Sequence, residues 1–239
     1  MNPKSVIALI RHGDYRQPQG VPSALLPYPL TPVGEAQARH CGKLIGEFSA
    51  SHHCSIDPQL DSSRQLRAWQ TASLIAEALP VEALSKRPTG DTATTIKEFE
   101  GLSERSVGAA ANLDVAAIAA IVAADPRFAP LPAGWKPNSD FCLPFQGAES
   151  LRQAGARVAA HIQHAWQVLA PSELKLIVGH GAAIRHACAQ LGILSEADIA
   201  DLSMHHAQPV FVSCDEQGKW HRVAGDWKIR QHAGDELGE

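Results

Sequence analysis

Along the 239 residues, short apolar runs alternate with amphipathic stretches. Val6–Ile10 is five apolar residues in a row and predicts a buried strand. Thr31 before Pro32 predicts a capped helix running to about Phe48. Ile56–Leu60 predicts a short strand, and Gln65–Leu79 a helix stopped by Pro80. Val81–Ser85 is expected to be another strand. Leu113–Ala124, rich in alanine, predicts a helix that ends before Pro126. Glu149–Leu169 predicts a long one, with Leu151, Val158, Ile162, Trp166 and Leu169 at helical spacing. Leu174–Val178 reads as a strand and Ala182–Leu191 as a helix. Val210–Cys214 and Trp220–Val223 flank "DEQG", a hairpin signal. Trp69 and Trp166 are expected in the core, and His161 and His164 on the exposed face of their helix.

Alternating strands and helices argue for an α/β fold with a mostly parallel sheet. No repeat or break in composition divides the chain, so one domain over residues 1–239 is expected. Proline-rich excursions at about 15–30 and 109–147 read as loop insertions over one core. The apolar fraction of 45% is ordinary for a globular chain. A formal net charge of −4 gives no basic footprint for nucleic acid or a membrane surface. No apolar run approaches the roughly 20 residues of a spanning helix. Val6–Ile10 is too short for a secretory leader. Five scattered cysteines, an odd number, read as reduced thiols and point to a cytoplasmic protein. Oligomeric state is not legible.

In open α/β sheets ligands bind beyond the carboxyl ends of the strands. Two such ends are built alike: "IRHG" closes the first strand and "VGHG" closes Leu174–Val178. Each puts a histidine at the sheet edge and a glycine after it, where the backbone can turn tightly. The helix after Gly181 points its N-terminus at the same space, which favours an anion. A third piece is "DSSRQLRAWQTA", with Ser62, Ser63, Arg64 and Arg67 between a short strand and a helix start. Arg64 and Arg67 are three apart and can share a helix face. Guanidinium forks match phosphate oxygens. Phosphoryl transfer needs a nucleophile, fixed positive charge and an acid for the leaving alkoxide. Two histidines and two arginines fit that list without a metal or other cofactor.

"RHG" at Arg11–Gly13, "LTPVGEAQA" at Leu30–Ala38, "SRQLRAWQTA" at Ser63–Ala72, "GAES" at Gly147–Ser150 and "GHG" at Gly179–Gly181 resemble the histidine phosphatase superfamily. Their order and spacing match over most of the chain. The resemblance implies the phosphoglycerate-mutase-like fold, a three-layer sandwich whose mostly parallel central sheet is flanked by helices. It also implies roles. His12 would carry the phosphoryl group, Arg11 and Arg67 would bind it, and His180 would be the second histidine, with Gly181 beside it. The family's acid lies in L-x-E-x-x-x-G, matched by Leu102, Glu104 and Gly108; Glu98 is the rival carboxylate. Arg16, Arg64 and Arg105 are further candidates for substrate binding.

The chain departs from the family where many members follow RHG with Glu or Gln, Thr or Ser, and then an asparagine. Here stand Asp14, Tyr15 and Pro18. A phosphate donor of the usual pocket is thus replaced or missing, and Arg16 is the candidate replacement. The expected activity is hydrolysis of a small phosphorylated metabolite through a phosphohistidine, with inorganic phosphate as product. Two alternatives stand beside it: a mutase-type phosphotransferase and a non-catalytic phosphate-binding module. Gly108–Phe128 holds one cation, Arg127, where mutases are basic, which favours the hydrolase. His52, His53 and Cys54 read as a surface loop, since adjacent side chains diverge and no second half of a metal site is evident. His205 and His206 precede a strand and are expected to be loop residues, with one of them lining the pocket mouth as the alternative.

Overall fold

The computed structural model describes residues 5–86 and 93–230. The first strand, β1 (Val6–Arg11), is buried throughout and apolar as far as Ile10 because both its faces are covered. Val6, Ala8 and Ile10 face helices α1 (Pro32–His52) and α2 (Leu66–Ala78). Ile7 and Leu9 face helices α4 (Leu151–Val168) and α5 (Gly181–Gln190). The result is a three-layer α/β sandwich with a mostly parallel sheet.

The central sheet runs β4 (Thr95–Phe99), β3 (Gln59–Ser63), β5 (Glu173–Gly179), β1, β7 (Val210–Cys214), β8 (Trp220–Ala224). The short β2 (Ser55–Ile56) also pairs with β5. β1 and β5 are parallel and in register to their last residues, Arg11 opposite Gly179. The amide of His12 then donates to the Gly179 carbonyl at 3.0 Å. β7 and β8 are the antiparallel members, joined as the expected hairpin. A separate two-stranded piece pairs β6 (Leu202–Ser203) with β9 (Lys228–Ile229). Between β5's helix and β6 lies the short α6 (Asp198–Asp201).

Several expectations are corrected. Ile56–Leu60 is not one strand: Asp57 and Pro58 interrupt it, and β3 continues to Ser63, so Ser62 and Ser63 belong to the strand rather than to a loop. Val81–Ser85 is not a strand. Val81–Ala83 is a 3₁₀ turn opened by Pro80, and only Leu84 bridges to Ile56. β4 was not anticipated, because an exposed edge strand with Lys97 and Glu98 at its centre shows no apolar alternation. Trp69 is 40% exposed rather than core, whereas Trp166 packs edge-on to Trp220. His161 does not face solvent: its Nε2 lies 2.9 Å from the buried Asp61 carboxylate, which also holds Lys175.

Both excursions have cores of their own. Tyr15, Leu26 and Leu30 cluster in the first. The second contains α3 (Val115–Ala124), capped by Asp114, and buries Ile118, Trp135 and Leu143 against Ala24 and Val107. Among the described residues, no helix is long and apolar enough to cross a membrane.

The N-terminus of α1 is pressed against the chain just past β1. Thr31 caps it, accepting from the Gly34 amide and donating to the Asp14 carboxylate at 2.6 Å. A Cβ on Gly34 would lie 2.0 Å from the Asp14 carbonyl oxygen, and one on Gly13 would lie 2.6 Å from the Gly34 carbonyl oxygen. Gly34→Ala is therefore expected to destabilise the protein by about 1–3 kcal/mol, the usual cost of overpacking. Urea unfolding measures it; an unchanged midpoint would show that the two segments separate without cost.

Candidate active site

β1 and β5 end side by side, so His12 and His180 lie together, ring centroids 5.2 Å apart. His12 Nδ1 is 2.8 Å from the Gly13 carbonyl. A carbonyl only accepts, so Nδ1 carries the proton and Nε2 keeps its lone pair. That lone pair accepts from Arg67 Nε at 3.2 Å. Arg67 stands on the first turn of α2 and is wholly buried. Its other donors reach the carbonyls of Leu26 (3.0 Å) and Ser23 (2.8 Å) and His180 Nδ1 (3.3 Å). The Tyr15 ring lies under the guanidinium, 4.5 Å away, and edge-on to His12 at 5.1 Å.

Arg67 donates to His180 Nδ1, so His180 carries its proton on Nε2 and gives it to Ser63 Oγ at 2.9 Å. Ser63, which the sequence placed beside Arg64 and Arg67, thus orients an imidazole. Its hydroxyl can donate as well as accept, so His180 can change tautomer without losing this bond. Arg11 sends Nη1 to the Met204 carbonyl at 3.0 Å. Its stem passes close under the start of α5, where a Cβ on Gly181 would stand 3.0 Å from Arg11 Cδ.

In front of these groups opens a cavity of about 550 Å³. Arg11, His12, Glu104, Arg105 and Gly181 all line it, while Arg67 and His180 lie directly behind His12. Glu104 accepts its neighbour's amide, Arg105 N, at 2.8 Å. The Glu104 loop is pinned from behind by Arg157 of α4. Arg157 donates to the carbonyls of Gly101 (2.9 Å), Ser103 (2.6 Å) and Glu104 (3.0 Å) and forks onto the Glu149 carboxylate (2.6 and 3.1 Å). Glu98 sits exposed on β4, outside the cavity. Arg16 and Arg64 are exposed and do not line it either. Arg64 does not share a face with Arg67, because it precedes the first turn of α2 and points to solvent while Arg67 points inward.

Three contributors were not assigned to the site from sequence. Tyr15 holds the place where a smaller residue was expected. Trp135, from the second excursion, lies 5.7 Å from the Arg105 guanidinium. His206 is the third: its ring stands 5.5 Å from His12, edge-on. Because β7 runs antiparallel to β1, its start lies at the edge where β1 ends; that pairing was the missing signal. Ala207, in the left-handed region at φ 47°, turns the chain there and donates its amide to the Arg11 carbonyl at 2.9 Å.

A family model for the histidine phosphatase superfamily (branch 1) matches residues 7–226. The chain belongs to the histidine phosphatase superfamily. A search of curated proteins finds no match. Solved structures share the superfamily fold. One titled "Mycobacterial hydrolase 2" has a TM-score of 0.66 at 19% identity, over 98% of this chain and 94% of that one. A mycobacterial glucosyl-3-phosphoglycerate phosphatase has 0.64 at 19%, over 94% and 96%. An α-ribazole phosphatase from Shigella flexneri has 0.63 at 18%, over 94% and 95%.

Electrostatically this superfamily site keeps its imidazoles neutral. Burial, then the Arg67 charge, holds His12 and His180 well below the ordinary histidine pKa of 6.5. Burial and Arg11 bring His206 down to about 4, and burial lowers His186 on α5. The unfolded chain binds protons at these positions from about pH 6.5 downward, and the folded protein does not. The stability they contribute is therefore present above pH 6.5 and is lost as pH falls. Thermal unfolding should show a midpoint that declines from about pH 6.5 toward 4, and more shallowly in His206→Asn. A flat midpoint between pH 7 and 5 would contradict the neutral-imidazole reading.

Proposed function

We propose that the protein is a phosphomonoester hydrolase that works through a phosphohistidine on His12, with a small phosphorylated metabolite as substrate. The observation that carries this is the pairing of the Nε2 lone pair of His12, which lines the cavity, with a wholly buried guanidinium. The family and the phosphatase activities named for similar folds support it. The glucosyl-3-phosphoglycerate phosphatase was also solved with inorganic phosphate and with VO3.

In this reading a phosphoryl group displaces Arg67 from Nε2 as the donor there. Arg11, Arg67 and His180 hold its non-bridging oxygens while Nε2 attacks in line. Nδ1–H keeps its hydrogen bond to Gly13 O, which helps to hold the positive charge that forms on the ring. His180 can present Nδ1–H to an oxygen, since Ser63 accepts either tautomer. Glu104 gives a proton to the leaving alkoxide. The same carboxylate then takes one from the water that breaks the phosphohistidine. No step calls on a metal.

His12→Ala should reduce phosphate release to background while the unfolding midpoint stays close to wild type. Brief reaction with labelled substrate in EDTA, quenched without acid, should leave alkali-stable, acid-labile label on His12. Native-level turnover in the variant, or no label at any time, would sink the assignment.

The acid is separable from its rival by the leaving group. An alkyl alkoxide needs a proton and nitrophenolate hardly does. Glu104→Gln should slow an alkyl phosphate by roughly 10²–10⁴-fold and nitrophenyl phosphate much less. Glu98→Gln should leave the ratio of the two rates unchanged. The opposite pattern would place the acid on Glu98.

A further inference from the structure

Ser139 lines the cavity and its Oγ lies 3.1 Å from His186 Nε2. His186 is buried on α5, and its Nδ1 lies 2.8 Å from the Ala182 carbonyl. That carbonyl can only accept, so the proton of the neutral ring is on Nδ1, and Nε2 is an acceptor. Ser139 has one hydroxyl proton, and Nε2 takes it. What Ser139 offers the cavity is therefore oxygen lone pairs and no proton.

The position is fixed from both sides. The first turn of α4 holds the backbone, Arg152 N donating to Ser139 O at 2.9 Å. His186 packs against Gly155, where a Cβ would lie 2.5 Å from His186 Cβ, and its ring is held by the Ala182 carbonyl. Glu196, its carboxylate held by Arg152 at 2.9 Å, lines the same cavity and is a second acceptor. Arg105 and Lys136 also line it and supply donors. A hydroxyl is the neutral group that answers both kinds, donating to Ser139 or Glu196 while accepting from a cation. A carboxylate or second phosphate could satisfy only the cations and would meet the Ser139 lone pairs unpaired.

We propose that Ser139, oriented by His186, is a specificity-determining residue that accepts a hydrogen bond from a hydroxyl of the leaving group. The substrate class is then hydroxylated phosphomonoesters, polyol or sugar phosphates. This rests on the phosphatase reading given above.

The test compares wild type and Ser139→Ala on matched pairs: glycerol 3-phosphate against propyl phosphate, and glucose 6-phosphate against cyclohexylmethyl phosphate. The variant should lose about 3–10-fold in kcat/KM on at least one hydroxylated member, the range expected for one neutral hydrogen bond. Its hydroxyl-free partner should change by less than about twofold. Equal losses on both members, or no loss on either hydroxylated probe, would overturn the proposal and leave the phosphatase reading standing. Absence of phosphate release by wild type from all four, and from nitrophenyl phosphate, would overturn both.

Discussion

The Arg67 guanidinium is a full charge with no access to water, so the protein must solvate it. Among the described residues no carboxylate forms an ion pair with it. Carbonyls of Ser23 and Leu26, two imidazole lone pairs and the face of Tyr15 do so instead. Such partners cancel less charge than a carboxylate does, and a dianionic ligand completes what they leave undone. The same contacts shape the molecule. They bind the excursion over residues 15–30 to α2, aided by Gln65 donating to the Ala24 carbonyl. Ala24 in turn packs on Ile118 and Trp135, so the outer wall of the cavity leans on that arrangement.

The remaining walls come from the sheet and from α4. In-register β1 and β5 set the backbones of the two histidines side by side through main-chain hydrogen bonds. Arg157 and Glu149 add a second fixed element, tying three carbonyls around Glu104 to the helix behind them. His12, Arg11 and Arg67 each have a side-chain bond to a main-chain carbonyl, and His180 is held by the buried side chains of Ser63 and Arg67, contacts that resist displacement better than long side chains paired in solvent.

The sequence made the layers and the two histidine-bearing strand ends readable, because buried parallel strands are apolar without alternation and the glycines after His12 and His180 mark the turns. Arg67 was legible only through the pattern around it. Arg64 shows why spacing alone misleads: two residues before the helix begins, its direction is set by a strand end rather than by helical periodicity. β4 was hidden by its exposure and Tyr15 by its difference from smaller residues at that place. His206 was hidden by a pairing between strands some 200 residues apart. Such contacts depend on tertiary geometry that no local pattern encodes.

β1 lies in the middle of the sheet, between β5 and β7. During synthesis it is made long before either neighbour. Until residue 179 has emerged, one edge of Val6–Arg11 has no partner, and until residue 214 neither does the other. This apolar strand thus waits unpaired, with His12 attached to its end, while more than 160 residues are added. The nascent protein has an exposed sheet edge to shield over that interval, and the two histidine-bearing strand ends come together only after β5 has emerged.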